Sequence, residues 1–124
     1  MCDMLVLDDD PLVRMMLVEA LRDEGLDVIG AGAETEALMA LRSAPAPRVF
    51  VTDLDLGTKR NGFVVAAIAR MLWPDVAIIY ITGRPEAAFG HAMDDREMLM
   101  QKPFRPSELV ASAQRMMNRQ PVVN

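Results

Sequence analysis

Short apolar segments alternate along the chain with segments of helical periodicity, and this alternation constrains the fold more than any other feature. The predicted strands are Met4 to Leu7, Asp27 to Ala31, Arg48 to Thr52, Val76 to Ile81 and Met98 to Gln101. The third strand is a continuous apolar run of the kind that is buried on both faces of a sheet. Strands that alternate with helices form parallel sheets with right-handed crossovers. The sequence therefore predicts an α/β fold, a doubly wound five-stranded parallel sheet with helices on both faces.

Five helices are predicted between and after these strands. Asp10 followed by Pro11 supplies an N-cap and a first-turn proline for the first helix, and Gly25 ends it. The others are predicted over Glu34 to Ser43, from Phe63 to Met71, near Glu86 to Met93, and after a cap at Ser107. The fourth of the five has the thinnest apolar face, because few apolar residues recur in it at helical spacing.

Length and composition exclude several classes of protein. A chain of 124 residues fits one domain, and we expect a single domain over residues 1–124 without an output domain. The only cysteine, Cys2, cannot pair within the chain, and no signal-peptide pattern or membrane-spanning apolar stretch is visible. A formal net charge of -5 disfavours nonspecific attraction to nucleic acid. We therefore expect a cytoplasmic protein that contacts neither membrane nor nucleic acid directly.

Polar side chains follow the predicted strands at the points where the strands end. Asp8 and Asp9 follow the first strand, Asp53 follows the third, Thr82 the fourth and Lys102 the fifth. The carboxyl ends of parallel strands meet at one edge of the sheet, where ligands bind. Three acids, one hydroxyl and one ammonium at a common edge can hold a divalent cation and a phosphoryl group.

The crowding of Asp8, Asp9 and Asp53 favours a bound cation, because neighbouring carboxylates raise each other's pKa unless a cation neutralises them. Mg²⁺ suits this oxygen-only set, and zinc does not, since the sequence has no cluster of cysteine or histidine. If Asp53 is a nucleophile toward phosphorus, Lys102 offsets charge on the phosphoryl oxygens and the Thr82 hydroxyl donates to one of them.

These residues resemble a known family. The segment Leu5-Val6-Leu7-Asp8-Asp9-Asp10-Pro11, the strand-end Asp53, Thr82-Gly83 and Lys102-Pro103-Phe104 are similar, in order and spacing, to the receiver domain of two-component response regulators. The similarity covers essentially the whole chain. It implies a flavodoxin-like fold with strand order 2-1-3-4-5, in a stand-alone or hybrid-kinase-type receiver that is a signalling phosphoprotein rather than an enzyme, beyond its own phosphorylation and dephosphorylation.

The resemblance also implies a role for each site residue. Asp53 would accept the phosphoryl group, forming an aspartyl phosphate that pairs with Lys102, and Thr82 would follow this group as the conformational switch. Mg²⁺ would be bound by Asp9, Asp53 and the backbone carbonyl of Asp55, with Asp8 orienting a metal-bound water. A cis peptide bond is implied between Lys102 and Pro103.

The implied partners are a sensor histidine kinase or a phosphotransfer protein, and a downstream protein target. The target would meet the face formed by the fourth helix, the fifth strand and the fifth helix. Four methionines either contribute to that face or belong to the core: Met98, Met100, Met116 and Met117.

The sequence departs from the family pattern at three places. Leu99 stands where the family often has an aromatic residue that moves with the threonine. The loop from Gly57 to Gly62 is slightly longer and more basic than usual. Arg84 and Asp55, each two residues beyond a site residue, could form an ion pair over the phosphorylation pocket. Our hypothesis is that this pair hinders the hydrolytic water and lengthens the life of the phosphorylated state.

Two alternatives stay open from the sequence. The segment Val51 to Thr58 also resembles the nucleophile motif of haloacid-dehalogenase-type phosphatases, in which Asp55 would be the general acid and base. The second alternative is a receiver-like interaction module that no longer takes phosphate. His91, the lone histidine, is predicted to be a surface residue of the fourth helix rather than a phosphodonor.

Overall fold

The computed structural model describes residues 2–43, 45–56 and 61–118. In these ranges β-strands and α-helices alternate along the chain, apart from one 3₁₀ turn between the last two strands. The elements are β1 (Met4–Leu7), α1 (Pro11–Asp23), β2 (Val28–Ala31), α2 (Glu34–Arg42), β3 (Val49–Asp53), α3 (Gly62–Leu72), β4 (Ala77–Thr82), the 3₁₀ turn (Pro85–Ala88), β5 (Glu97–Gln101) and α4 (Pro106–Asn118).

The five strands form one parallel sheet in the order β2-β1-β3-β4-β5. Leu7 at the end of β1 lies opposite Thr52 of β3, and Thr82 at the end of β4 lies opposite Gln101 of β5. The strand ends are therefore aligned at one edge, and the predicted fold class and strand order are confirmed.

Helices cover both faces of the sheet and enclose two apolar layers. Met4 and Val6 of β1 point into the layer that includes side chains of α1 and α4, whereas Leu5 and Leu7 point into the layer that includes side chains of α2 and α3. This alternation follows from the two-residue period of a strand. Three of the four methionines considered for the partner surface are buried in the first layer, and the fourth packs against it: Met100, Met116, Met117 and Met98. Those methionines are therefore core residues.

Short polar residues begin two of the helices. The Asp10 carboxylate accepts hydrogen bonds from the backbone N–H groups of Leu12 at 3.0 Å and Val13 at 3.3 Å, with Pro11 at the first helical position. The predicted cap of α1 is thus confirmed. The Asn61 side chain caps α3 in the same way. At α4 the prediction was wrong, because the helix already begins at Pro106 and the cap residue predicted there, Ser107, lies inside it.

The predicted fourth helix is absent, so the described residues contain four α-helices rather than five. Between β4 and β5 the chain forms only the 3₁₀ turn, which buries none of its residues, and Phe89 directly after it is 83% exposed. Gly90 then adopts a φ of +86°, in the left-handed region that interrupts a helix. An amphipathic helix needs an apolar face to bury, and this segment does not supply one.

Polar contacts to Glu97 hold this connection against the sheet. The Glu97 carboxylate, only 8% exposed, accepts hydrogen bonds from the Tyr80 hydroxyl at 2.5 Å and the Asp94 backbone N–H at 3.2 Å. It also lies 2.9 Å from His91 Nε2 and 3.6 Å from Arg70 Nη1. We call these five residues the Glu97 cluster. The prediction that His91 is a helical surface residue is therefore wrong, because it lies in the non-helical connection and contacts the start of β5.

None of the helices in the described ranges has the length and apolarity needed to cross a membrane.

Candidate functional site

The aligned strand ends bring together the residues that the sequence analysis singled out. Asp8 follows β1, Asp53 ends β3, Thr82 ends β4 and Lys102 follows β5. Asp8 and Asp53 are buried, at 0% and 5% exposure, whereas Asp9 is exposed. One carboxylate oxygen from each of these three acids lies within 4.8 Å of the others. The acidic cluster that the strand ends predicted is therefore present in the fold.

Lys102 closes one side of this cluster. Its ammonium nitrogen lies 3.1 Å from Asp53 Oδ2 and 3.6 Å from Asp8 Oδ2. Burial alone would lower the pKa of Lys102, but the hydrogen bond to Asp53 and the charges of Asp53 and Asp8 outweigh it, so the pKa is raised. Lys102 is therefore a cation throughout the physiological range. The peptide bond between Lys102 and Pro103 is cis, as predicted.

The main chain around Asp53 is fixed by close contacts. Asp53 Oδ1 accepts a hydrogen bond from the Asp55 backbone N–H at 2.9 Å, and the Thr52 hydroxyl donates to the Asp53 carbonyl oxygen at 3.1 Å. Gly62, the first residue of α3, packs so closely that a Cβ there would overlap the same carbonyl oxygen. The sequence analysis did not identify Gly62, because nothing local distinguishes a glycine needed for space from one needed for a turn.

Asp8 is the most constrained acid of the site. Burial raises the pKa of its carboxyl group, although the hydrogen bond from the Asp10 backbone N–H and the charge of Lys102 act in the opposite direction. Asp8 Oδ2 is buried and has no hydrogen-bond partner within the described part of the chain. A buried oxygen in this state needs a partner, since an unsatisfied polar group carries a desolvation penalty.

The donor set fits a hard divalent cation. Three carboxylate oxygens converge, one of which belongs to the unsatisfied Asp8 group, and only oxygen ligands contribute to the cluster. Mg²⁺ is bound in proteins through such carboxylates and keeps several waters. Receiver-type ligation by the Asp55 backbone carbonyl stays a prediction.

Thr82 is buried beside the cluster, and its hydroxyl bonds within its own turn. The hydroxyl oxygen accepts a hydrogen bond from the Arg84 backbone N–H at 3.0 Å and donates to the Arg84 carbonyl oxygen at 3.1 Å. Leu99, the residue in place of the family's aromatic, is partly buried and packs on the layer beneath α2 and α3. Roles for Thr82 and Leu99 in switching stay predictions.

The ion pair expected between Arg84 and Asp55 is formed. Arg84 Nη2 lies 2.5 Å from Asp55 Oδ1, and Arg84 Nε donates to Asp55 Oδ2 at 3.4 Å. The hydrogen bond and charge of Asp55 raise the pKa of Arg84. Both side chains are well exposed, at 63% and 46%. The basic part of the following loop, Gly57 to Arg60, lies outside the described residues.

The acid cluster and the lysine lie at the carboxyl edge of a flavodoxin-like parallel sheet, and comparison with known proteins gives the family. The profile of the response regulator receiver domain matches residues 4–114. The chain is 29% identical over 111 residues to the phyllosphere-induced regulator PhyR of Methylorubrum extorquens, covering 88% of this chain and 41% of that protein. It is 36% identical over 112 residues to the DNA-binding response regulator MtrA of Mycolicibacterium smegmatis, covering 86% of this chain and 46% of that protein.

Solved structures agree with this result. A response regulator receiver protein from Sinorhizobium medicae superimposes with a TM-score of 0.86 at 24% identity, covering 95% of each chain. The receiver domain of PhyR from Erythrobacter litoralis gives a TM-score of 0.84 at 25% identity, covering 99% of this chain and 95% of that one. The chain therefore belongs to the response regulator receiver domain family of two-component signal transduction. It spans less than half the length of the curated relatives PhyR and MtrA.

Proposed function

We propose that this receiver is a phosphorylation-dependent switch in which Asp53 accepts a phosphoryl group from a phosphohistidine of a histidine kinase or a phosphotransfer protein. The observation that carries this proposal is the contact of the Lys102 ammonium with Asp53 Oδ2 at 3.1 Å, beside three converging carboxylates. An acid held against a permanent cation can receive a phosphoryl group without accumulating uncompensated negative charge.

The transfer needs few groups from the protein. A carboxylate oxygen of Asp53 forms the new O–P bond as the P–N bond to the donor imidazole breaks, and the bonding electrons stay on the imidazole nitrogen. Lys102 offsets charge on the phosphoryl oxygens. When bound, Mg²⁺ adds charge neutralisation at the same oxygens. Asp9, Asp53 and the carbonyl of Asp55 would hold it, with Asp8 acting through a water.

We further propose that Thr82 couples phosphorylation to the rest of the fold. Its hydroxyl would leave the Arg84 backbone and donate to a phosphoryl oxygen, which shifts the turn that begins the β4–β5 connection. Such a contact changes the populations of two conformations rather than creating a new one. The output face would be formed by β5, α4 and this connection, instead of the three-element face that the sequence predicted.

The surface beside Lys102 suits the phosphodonor. Three apolar side chains at the start of α1 are exposed, namely Leu12, Met15 and Met16. Next to them is an apolar cavity of about 240 Å³ whose lining includes Lys102. A donor must cover this edge of the sheet to bring its histidine to Asp53, and exposed apolar side chains there favour docking. The partner would be met in the cytoplasm, where Cys2 stays reduced.

We also propose that the ion pair of Arg84 and Asp55 slows hydrolysis of the aspartyl phosphate. The pair joins residues two positions beyond Asp53 and Thr82, and its two side chains would then stand in the path of an attacking water. The proposal is supported by the bidentate geometry, although both groups are exposed and therefore screened by solvent.

Intact mass after incubation with acetyl phosphate tests the phosphoacceptor role. We expect a gain of one phosphoryl group in the wild type when Mg²⁺ is present, and no gain in Asp53→Asn. Asp23→Asn is the matched control, because it removes an exposed acid at the far end of α1 and should still be labelled. A folded wild type that is never labelled would instead support a silent interaction module. Catalytic turnover of small phosphate esters, which are not acyl phosphates, would support the phosphatase alternative.

A further inference from the structure

One glycine in β2 and one just after it lie beside the side chain of Arg14, and the second leaves room for it. A Cβ at Gly32 would lie 2.5 Å from Arg14 Nη1 and 3.1 Å from Cζ, whereas a Cβ at Gly30 would first meet Val18 Cγ2 at 3.2 Å and would lie at an ordinary 3.6 Å from Arg14 Cγ and Cδ. Gly30 lies within β2 and Gly32 directly follows its last residue, and a Cβ at either position would lie within 4 Å of the Arg14 side chain. Neither has a φ in the left-handed region, and backbone conformation therefore does not require glycine at either position. Space for Arg14 is the physical reason that remains for Gly32.

The space left by Gly32 lets the Arg14 guanidinium reach the acidic site. Arg14 Nη1 donates a hydrogen bond to the backbone carbonyl oxygen of Asp8 at 2.9 Å. The Asp8 backbone N–H donates to the Ala31 carbonyl at 3.2 Å, and Asp8 Oδ1 accepts from the Asp10 N–H at 2.9 Å. Asp8 is thus fixed at its nitrogen, its carbonyl oxygen and one carboxylate oxygen. Only Oδ2, which faces Lys102 and the acid cluster, lacks a hydrogen bond in the described structure.

Arg14 and Lys102 act on this site in different ways. Lys102 places its charge against the carboxylates of Asp53 and Asp8, whereas Arg14 binds a main-chain oxygen. Guanidinium is suited to this, because its planar geometry fixes the direction of the hydrogen bond. The carbonyl it holds belongs to the peptide that joins Asp8 to Asp9. Its hydrogen bond therefore constrains the relative direction of two acids that would face one cation.

We propose that Arg14 is a positioning residue for the divalent-cation site, which it supports by fixing the Asp8–Asp9 peptide, and that glycine at position 32 leaves the space through which it reaches that peptide. This inference rests on the proposed function, in which these acids hold Mg²⁺. Groups that orient metal ligands without touching the metal typically change affinity by about 10- to 100-fold when they are removed.

Calorimetric titration of the full chain with MgCl₂ tests the proposal without measuring phosphorylation. We expect Arg14→Ala to bind Mg²⁺ about tenfold more weakly than the wild type, at the lower end of that range. A purely electrostatic role predicts the opposite sign, because removing a positive charge near a cation site tightens cation binding. Unchanged or tighter binding by folded Arg14→Ala would therefore overturn the proposal.

Arg22→Ala is the matched control. Arg22 lies on the same helix and also donates to a main-chain carbonyl, but to that of Val28 in β2 at 2.8 Å, away from the acidic edge. We expect its loss to leave Mg²⁺ affinity unchanged. An equal loss of affinity in both variants would mean that general loosening of α1 is responsible, which also contradicts the proposal.

Gly32→Ala gives a second, independent test. It should weaken Mg²⁺ binding by displacing the guanidinium, and it should have no further effect in the Arg14→Ala background, where nothing is left to displace. If the losses of Mg²⁺ affinity in the two single variants added up in the double variant, Gly32 would not act through Arg14, and that part of the proposal would be contradicted. Gly32→Ala also carries the test if Arg14→Ala does not fold. A wild type that takes up the phosphoryl group but shows no Mg²⁺ binding would overturn this inference and leave Asp53 as the acceptor.

Discussion

Three consecutive aspartates occupy three different environments at the end of β1. Asp10 is exposed and caps α1, Asp9 is an exposed member of the acid cluster, and Asp8 is a fully buried member with a raised pKa. The difference arises from the backbone, because the chain leaves the sheet at Asp8 and enters a helix after Asp10. Residue type alone therefore does not decide function here, and the position relative to the strand end does.

At the residue scale, the ion pair of Arg84 and Asp55 makes a kinetic prediction. We expect Arg84→Ala to dephosphorylate about two- to threefold faster than the wild type, because exposed pairs have small effects. The rate is measured by loss of the phosphoryl mass after removal of the donor. Asp55→Asn should behave likewise, and the double variant should be no faster than either single variant.

High salt should reduce the difference between the Arg84 variant and the wild type, since salt screens exposed charges. An unchanged dephosphorylation rate in Arg84→Ala would show that the pair does not protect the aspartyl phosphate.

At the scale of elements, the β4–β5 connection is held by polar contacts where a helix was predicted. Tyr80 and Phe63 form an aromatic pair with ring centroids 4.7 Å apart, and Phe63 stacks on His91 at 4.0 Å. Together with the Glu97 cluster, these contacts fix the connection without α-helical hydrogen bonds. Since the connection begins at the Thr82 turn, its stability bears on the proposed switch.

Tyr80→Phe should loosen this connection. Removing the hydroxyl deprives a nearly buried carboxylate of one hydrogen bond, which costs about 1–2 kcal/mol of unfolding free energy. Amide hydrogen exchange in residues 83–96 should accelerate more than elsewhere. Asn61→Ala removes the α3 cap at a cost of about 1 kcal/mol and serves as the control, because it should not affect exchange in that segment. Uniform acceleration across the sheet in Tyr80→Phe would contradict local control by the Glu97 cluster.

At the scale of the whole molecule, the Glu97 cluster predicts part of the fall in the free energy of unfolding at low pH. Burial alone would raise the pKa of Glu97, but hydrogen bonds from Tyr80, His91 and the Asp94 backbone outweigh it and lower the pKa below its ordinary value of 4.5. A carboxyl group with a lowered folded pKa contributes stability above its unfolded pKa, and this contribution is lost as the pH falls through the folded value.

The free energy of unfolding should therefore fall less in Glu97→Gln than in the wild type when the pH is reduced from neutrality to about 4 or below. Denaturant titrations at several pH values measure this. Glu19→Gln, at an exposed position on α1, is the control and should follow the wild type. Parallel curves for wild type and Glu97→Gln would mean that other carboxyl groups dominate the acid response.

Much of the fold and site followed from local patterns in the sequence. Apolar runs of strand length, helical spacing and the Asp10-Pro11 start identified all five strands and all four α-helices of the described residues, together with one helix that the fold does not contain. Because parallel strands end at one edge, the polar residues after those strands predicted that Asp8, Asp53, Thr82 and Lys102 meet. The Arg84–Asp55 pair followed from the same argument, applied two residues further along the chain.

Only the tertiary structure decided the detailed contacts between side chains that are distant in the sequence. It replaced the predicted fourth helix by a connection held through Glu97, placed in the core four methionines whose role the sequence left open, and brought Gly62 against Asp53 and Arg14 to Asp8. The physical reason is that strand and helix periodicity, helix caps and strand ends depend on residues that are neighbours in the sequence. Contacts between distant residues depend on how the layers pack, and that information lies in no single segment of the sequence.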